Sequence, residues 1–166
     1  MPTRNVSADV DPASNVCKAL RARPTGMLKL NSVFAAKLSA FNEIKAFVER
    51  FADAAKIDPE DRHKLTLIVE ELFTNTIRHG HRGDSDEPVD IMLSSEPSGV
   101  AVTYVDTAPE YDSLAAAMRT DIEATVRQRR IGGLGVALTF ALAEAAQYRY
   151  FEGKNHIVIR LGRPAT

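Results

Sequence analysis

The chain has 166 residues, 21 Lys and Arg against 22 Asp and Glu, a formal net charge of -1 and 45% hydrophobic residues. These are the proportions of one ordinary globular domain, in the usual range of ~100–200 residues. Near-neutral charge argues against a nucleic-acid binder working through bulk electrostatics, and a single cysteine, Cys17, excludes an intramolecular disulfide framework and suits a reducing compartment.

Residues 1–25 are rich in Ser, Asp, Asn, Pro and Arg without a steady period, and read as a mobile arm ahead of a domain over 26–166. The first residues lack the apolar core of a signal peptide. The most apolar stretch, Leu134 to Ala146, contains Glu144 and falls short of the ~20 residues of a membrane helix. A cytoplasmic location without membrane attachment is expected.

From Met27 the pattern is regular. Met27 to Phe34 alternates as a strand, with Leu28 and Leu30 on one face and Lys29 and Asn31 on the other. Ser39 is placed to cap a helix to about Lys56, whose apolar positions Phe41, Ile44, Phe47, Val48 and Phe51 recur at helical spacing. Asp58-Pro59-Glu60-Asp61 starts a second helix: a cap, a proline at the first helical position, then acids on the positive end of the dipole. That helix is expected to reach His79 and to be stopped by Gly80. Val89 to Ser95 and Val100 to Asp106 read as a hairpin around Pro97-Ser98-Gly99.

After a loop from Thr107 to Tyr111, Asp112 to Met118 reads as a short helix. A charged stretch from Arg119 to Ile131 carries Arg127, Arg129 and Arg130. Gly132-Gly133-Leu134-Gly135 opens an apolar helix ending near Ala146, and strands from Gln147 to Phe151 and His156 to Leu161 close the domain. Helices do not alternate with strands, and several strands have a polar face. The expected fold class is therefore α+β, one sheet covered by helices on one side.

Three constellations bear on chemistry. Glu71, Asn75 and His79 recur every four residues, so they form a polar stripe on an otherwise apolar helix. The stripe faces either solvent or a ligand. Glu70 points about 100° away and reads as structural or supporting. Asp106, where a strand opens into a loop, either starts a turn or accepts a hydrogen bond from a ligand amine. Gly132, Gly133 and Gly135 before a helix make either a flexible entry or a phosphate cradle, since free amides and the dipole at a helix start favour anions. The Lys-Ser/Thr of a P-loop is lacking. His79-Gly80-His81 with Asp84 is a poor zinc set, since the histidines straddle a helix-ending glycine and no cysteine lies nearby. No serine stands in a Gly-x-Ser-x-Gly elbow.

Taken in order, Glu71-x-x-x-Asn75, Asp106 and Gly132-Gly133-Leu134-Gly135 resemble the N box and the two glycine boxes of the GHKL ATPase superfamily, over about Leu28 to Leu161. Within it the chain is similar to the stand-alone branch of anti-sigma factor serine kinases. Val69 to Gly80 and the ending Tyr148 to Asn155 carry that similarity most specifically. The resemblance implies the Bergerat fold, a two-layer α/β sandwich with a mixed, mainly antiparallel sheet. It implies ATP with Mg²⁺ as ligand and a protein serine or threonine as substrate. In that reading Asn75 holds Mg²⁺ and Glu71 is the catalytic base. Asp106 binds the adenine amine, and Gly132, Gly133, Leu134 and Gly135 cradle the phosphates. His79 and Ala108 join the nucleotide site, and Arg130 is the lid arginine facing phosphate. Family members often carry glycine two residues after the Asp106 position, where this chain has Ala108.

The implied activity is a serine/threonine protein kinase in a partner-switching system. It phosphorylates a STAS-domain anti-sigma antagonist and alternately binds a sigma factor, as a homodimer, without touching nucleic acid. An ATP-gated binding module with little turnover is the alternative. A histidine-kinase catalytic domain acting in trans ranks third, because no upstream helix offers a phospho-acceptor histidine.

Overall fold

The computed structural model describes residues 27–113, 115 and 141–162. The arm, the three lid arginines and the Gly132–Gly135 run lie outside the described residues.

Strand β1 (Lys29–Ala35) starts two residues later than expected, and its alternate residues Leu30, Ser32 and Phe34 are the covered ones, with Phe34 buried and the other two half-buried. A 3-10 turn (Leu38–Ala40) leads into helix α1 (Phe41–Ala54). Ser39 does not cap this helix. It is inside the 3-10 turn, the cap position belongs to Ala40 without a side-chain bond, and Asp84 Oδ1 accepts from the Leu38 amide at 2.9 Å instead.

Helix α2 (Pro59–Asn75) starts as its sequence dictates: Asp58 is extended and its Oδ1 accepts from the Asp61 amide at 3.0 Å. That backbone bond holds the Asp58 carboxyl below its ordinary range. The cap therefore stabilises the fold above the unfolded-state pKa of an aspartate and is lost as pH falls through the lower folded value. Replacing Asp58 by Ala should cost about 1 kcal/mol and lower Tm by about 2–4 °C at neutral pH. A calorimetric scan in which that penalty failed to shrink at acid pH would contradict this account of the cap.

The expected helix end at Gly80 does not form. α-Helical pairing stops at Asn75, and residues Thr76–His81 make a π-helical turn. The stop is Arg82, in the left-handed region at φ 61°, whose amide bonds back to the Ile77 carbonyl. A glycine signal in the sequence thus marks something other than a cap, as the site shows.

Strands β2 (Pro88–Glu96) and β3 (Gly99–Asp106) make the expected hairpin, closed by the Glu96–Gly99 pair. Beyond the loop, Ser113 and Ala115 are helical, and Asp112 Oδ1 accepts from the Ala115 amide at 2.9 Å. Strand β4 (Ala145–Phe151) begins two residues earlier than expected, because Ala145 already pairs with Arg160 and the Glu144 amide bonds its carbonyl. The preceding helix therefore ends before Ala146. Strand β5 (Lys154–Gly162) completes the sheet.

The strand order is β1-β2-β3-β5-β4, and every adjacent pair is antiparallel. Both helices pack on one face, giving the expected two-layer α+β sandwich. Phe47, Val48 and Phe51 of α1 and Leu65, Ile68, Val69, Leu72 and Phe73 of α2 close over Ile91, Leu93, Val102, Tyr104, Ile157 and Ile159. Such side chains contribute about 1.5–3 kcal/mol each on full burial. The layer fixes the end of α2 against the end of β3, and there the candidate site forms. Among the described residues no helix is long and apolar enough to cross a membrane.

Candidate nucleotide site

The last turn of α2, the π turn, the end of β3, its following loop and the start of β5 converge on one cleft. Asn75, Thr76, Gly80, Asp106, Ala108, Pro109, Tyr111, Ser113 and Asn155 line it, over a floor of Leu72 and Ile157. Its empty space is about 380 Å³, mouth included.

Asp106 is 5% exposed and is the centre of the polar network. Its Oδ1 accepts from the Ala108 amide at 3.0 Å and from Asn155 Nδ2 at 2.8 Å. Its Oδ2 accepts from Thr76 Oγ1 at 2.8 Å. Thr76 Oγ1 also lies 2.8 Å from the Tyr104 hydroxyl. Threonine has one hydroxyl proton, and a carboxylate is its strongest acceptor here. Tyr104 is then the donor to Thr76, in keeping with complete burial, which pushes the phenol pKa well up and keeps its proton on. A carboxylate oxygen has two acceptor positions. Both are used on Oδ1. Among the described residues Oδ2 uses one, which leaves Asp106 an acceptor position to offer a ligand in the cleft.

A second polar group lacks a partner among the described residues. The Ser113 hydroxyl is buried at the cleft wall and has no hydrogen-bond partner among the described residues. Leaving a buried hydroxyl unpaired costs on the order of 1–3 kcal/mol. A ligand that donates to Asp106 and also reaches Ser113 fits both observations.

The π turn explains Gly80. A Cβ built there would lie 2.6 Å from the Ala108 Cβ, closer than methyl groups approach. Ala108 is 3% exposed, so it has nowhere to go. The methyl that this chain carries two residues after Asp106 is accommodated because its neighbour across the cleft has none. Gly80→Ala should destabilise the protein by roughly 1–3 kcal/mol through this clash. Adding Ala108→Gly should recover most of that loss, and additive penalties in a double-mutant cycle would show that the two positions do not meet.

Of the residues singled out from the sequence, the structure brings Asn75, Asp106 and Ala108 together. Glu71 is half-buried one turn before Asn75, and His79 is exposed on the π turn. Neither is among the described cleft-lining residues. Glu70 pairs with Lys45 at 3.1 Å on the α1 side. No group of three or more His, Cys, Asp or Glu placed to hold a metal occurs among the described residues.

A family model for the histidine kinase-like ATPase domain matches residues 34–161, from the end of β1 almost to the end of β5. The chain belongs to the histidine kinase-like ATPase family. Domains of this family bind ATP, usually with Mg²⁺. No curated protein matches the chain. Eleven chains of solved structures do. One is from the SiaB–SiaC complex of Pseudomonas aeruginosa, at 19% identity and a TM-score of 0.56, covering 93% of this chain and 99% of that one. At that identity the likeness speaks for a shared fold alone.

The residues present suit such a ligand. The adenine amino group is a donor, as the open acceptor position of Asp106 requires. The Asn75 side chain supplies a neutral oxygen at the cleft wall, the hard donor that Mg²⁺ takes alongside water and phosphate oxygens.

Four contributors escaped the sequence reading: Thr76, Tyr104, Ser113 and Asn155. Asn155 had a signal, since it ends the Tyr148–Asn155 segment similar to the anti-sigma kinases. Thr76 likewise lies inside the Val69–Gly80 segment of that similarity, whereas Tyr104 and Ser113 are ordinary residues whose meeting depends on the fold.

Proposed function

We propose that this ATPase domain is a serine/threonine protein kinase of the stand-alone anti-sigma branch, acting on a STAS-domain antagonist in a partner-switching system. The observation that carries the reading is the buried Asp106 carboxylate, with one acceptor position unused among the described residues and Asn75 lining the same cleft. The reading places adenine on Asp106. Gly132, Gly133, Leu134 and Gly135 would cradle the phosphates and Arg130 would neutralise charge on the transferred group, roles that fall on residues outside the described ones. Asn75 would hold Mg²⁺ through its side-chain oxygen, and the ion would supply positive charge beside the phosphate oxygens.

In the transfer step the substrate hydroxyl oxygen forms a bond to the γ-phosphorus, the bond from that phosphorus to the bridging oxygen breaks, and ADP leaves. Glu71, one helical turn from Asn75, receives the hydroxyl proton. The reading also includes a cytoplasmic homodimer that releases or binds a sigma factor according to the antagonist's state. That a similar chain was solved as a two-protein complex supports a protein partner.

The test is transfer of γ-labelled phosphate from Mg-ATP to a panel of purified STAS-domain proteins. Acid-stable label on a Ser or Thr is the expected result. An unlabelled acceptor in every pairing would refute the kinase, and acid-labile label would indicate a histidine kinase.

The second reading, an ATP-gated adaptor with little turnover, is favoured by one observation: Glu71 stands outside the described lining of the cleft. It expects nucleotide-dependent partner binding that survives Glu71→Ala and is lost in Asp106→Asn.

A further inference from the structure

Asn155 makes more polar contacts than any other side chain in the cleft, and they leave its amide one orientation. Nδ2 points at three acceptors: Asp106 Oδ1 at 2.8 Å, the Ala108 carbonyl at 3.0 Å and the Pro109 carbonyl at 3.3 Å. Oδ1 faces two donors, the Tyr148 hydroxyl at 2.9 Å and the Tyr111 amide at 3.1 Å. A flipped amide would set acceptor against acceptor at three contacts and donor against donor at the Tyr111 amide, and only the Tyr148 hydroxyl could turn to accept. The side chain is 3% exposed, so water cannot substitute.

The sheet puts these groups in reach. Asp106 and Asn155 are directly opposed in the β3–β5 ladder. Tyr148 pairs with Ile157, two residues along from Asn155, a diagonal that an aromatic side chain spans. Tyr148 is half-buried, and burial raises its phenol pKa, so the hydroxyl stays a donor.

We propose that Asn155, locked by Tyr148, is the positioning residue that aims Asp106 at its ligand and ties the Ala108–Tyr111 loop to the sheet. Asn155 fills Oδ1, so that only Oδ2 can accept the ligand's donor. The inference rests on the adenine reading of the cleft and adds which residues make Asp106 selective for an exocyclic amine.

The experiment compares Kd for ATP with Kd for purine riboside triphosphate, which lacks that amine, by titration calorimetry of the full chain. The ratio of the two isolates the Asp106 contact. Wild type should prefer ATP by roughly tenfold or more, the worth of one hydrogen bond to a charged group. Asn155→Ala should bring the ratio near one. Tyr148→Phe removes one hydroxyl, keeps the fold, and should lower the ratio several-fold. It decides the matter if Asn155→Ala does not fold. A merely structural role would weaken both nucleotides equally, and an unchanged ratio in a folded Tyr148→Phe variant overturns the proposal while leaving the ATP reading intact. Failure of wild type to bind ATP overturns both.

Discussion

Asp106→Asn is expected to weaken ATP binding by roughly ten- to a hundredfold and to cost about 1–3 kcal/mol of stability. All three groups bonded to Asp106 serve as donors to it: the Ala108 amide, the Asn155 amide and the Thr76 hydroxyl. An asparagine there must turn its own NH₂ toward one side. Turned toward Oδ1's partners, it opposes two donors that cannot rotate away. Turned toward Thr76, it forces the hydroxyl to give its proton elsewhere, to the Leu72 carbonyl 3.2 Å away, and to accept from two sides. That second arrangement is the cheaper one, so the variant should fold. It then presents a donor where the adenine amine is also a donor, and binding falls. Calorimetric titration gives the affinity and a thermal scan the stability. Wild-type affinity in a folded Asp106→Asn protein would remove Asp106 from the nucleotide site.

The second large effect is kinetic. Glu71→Gln should lower phosphotransfer about a hundred- to ten-thousandfold, the range for loss of a general base, with ATP affinity nearly unchanged. The separation follows from placement. Glu71 is half-buried one turn from Asn75 and lies off the described lining of the cleft proposed to hold the nucleotide. Gln keeps its size and removes its capacity to take a proton. The checks are single-turnover transfer to the antagonist and ATP titration on the same preparation. Undiminished transfer would mean another base. Unmeasurable transfer already in the wild type, with nucleotide-gated partner binding intact, would favour the adaptor.

The two kinds of effect mirror how legible the molecule was. The strands could be read because apolar alternation is local: Val89, Ile91 and Leu93 name their own face. Asp58-Pro59 named a helix start by chemistry contained in four residues. Asn75 and Asp106 were readable as a spacing and a strand end. What binds them into a site was not, because its bonds span the chain. Thr76 meets Asp106 across 30 positions and Asn155 meets it across 49. Those meetings depend on which strand lies beside β3, and the sequence order β3, β4, β5 does not reveal that β5 is inserted between the other two.

Gly80 misled for a related reason. A glycine after an apolar helix is a sound stop signal by local rules, yet here it clears space for the Ala108 methyl, a neighbour 28 positions away in the chain. The helix continues through a widened turn instead and finds its left-handed stop at Arg82. π turns recur at functional sites, where an inserted residue re-aims its neighbours. Thr76, the first residue of this one, is one of the three residues that donate to Asp106.

The central claim is that the cleft around Asp106 is an ATP site. Titration of the purified full chain with Mg-ATP in a calorimeter tests it most directly. The account predicts saturable binding with one nucleotide per chain, competed by ADP and not by GTP, whose base presents a carbonyl acceptor where adenine presents its amine. An absence of saturable heat at millimolar ATP, or equal affinity for GTP, would contradict it.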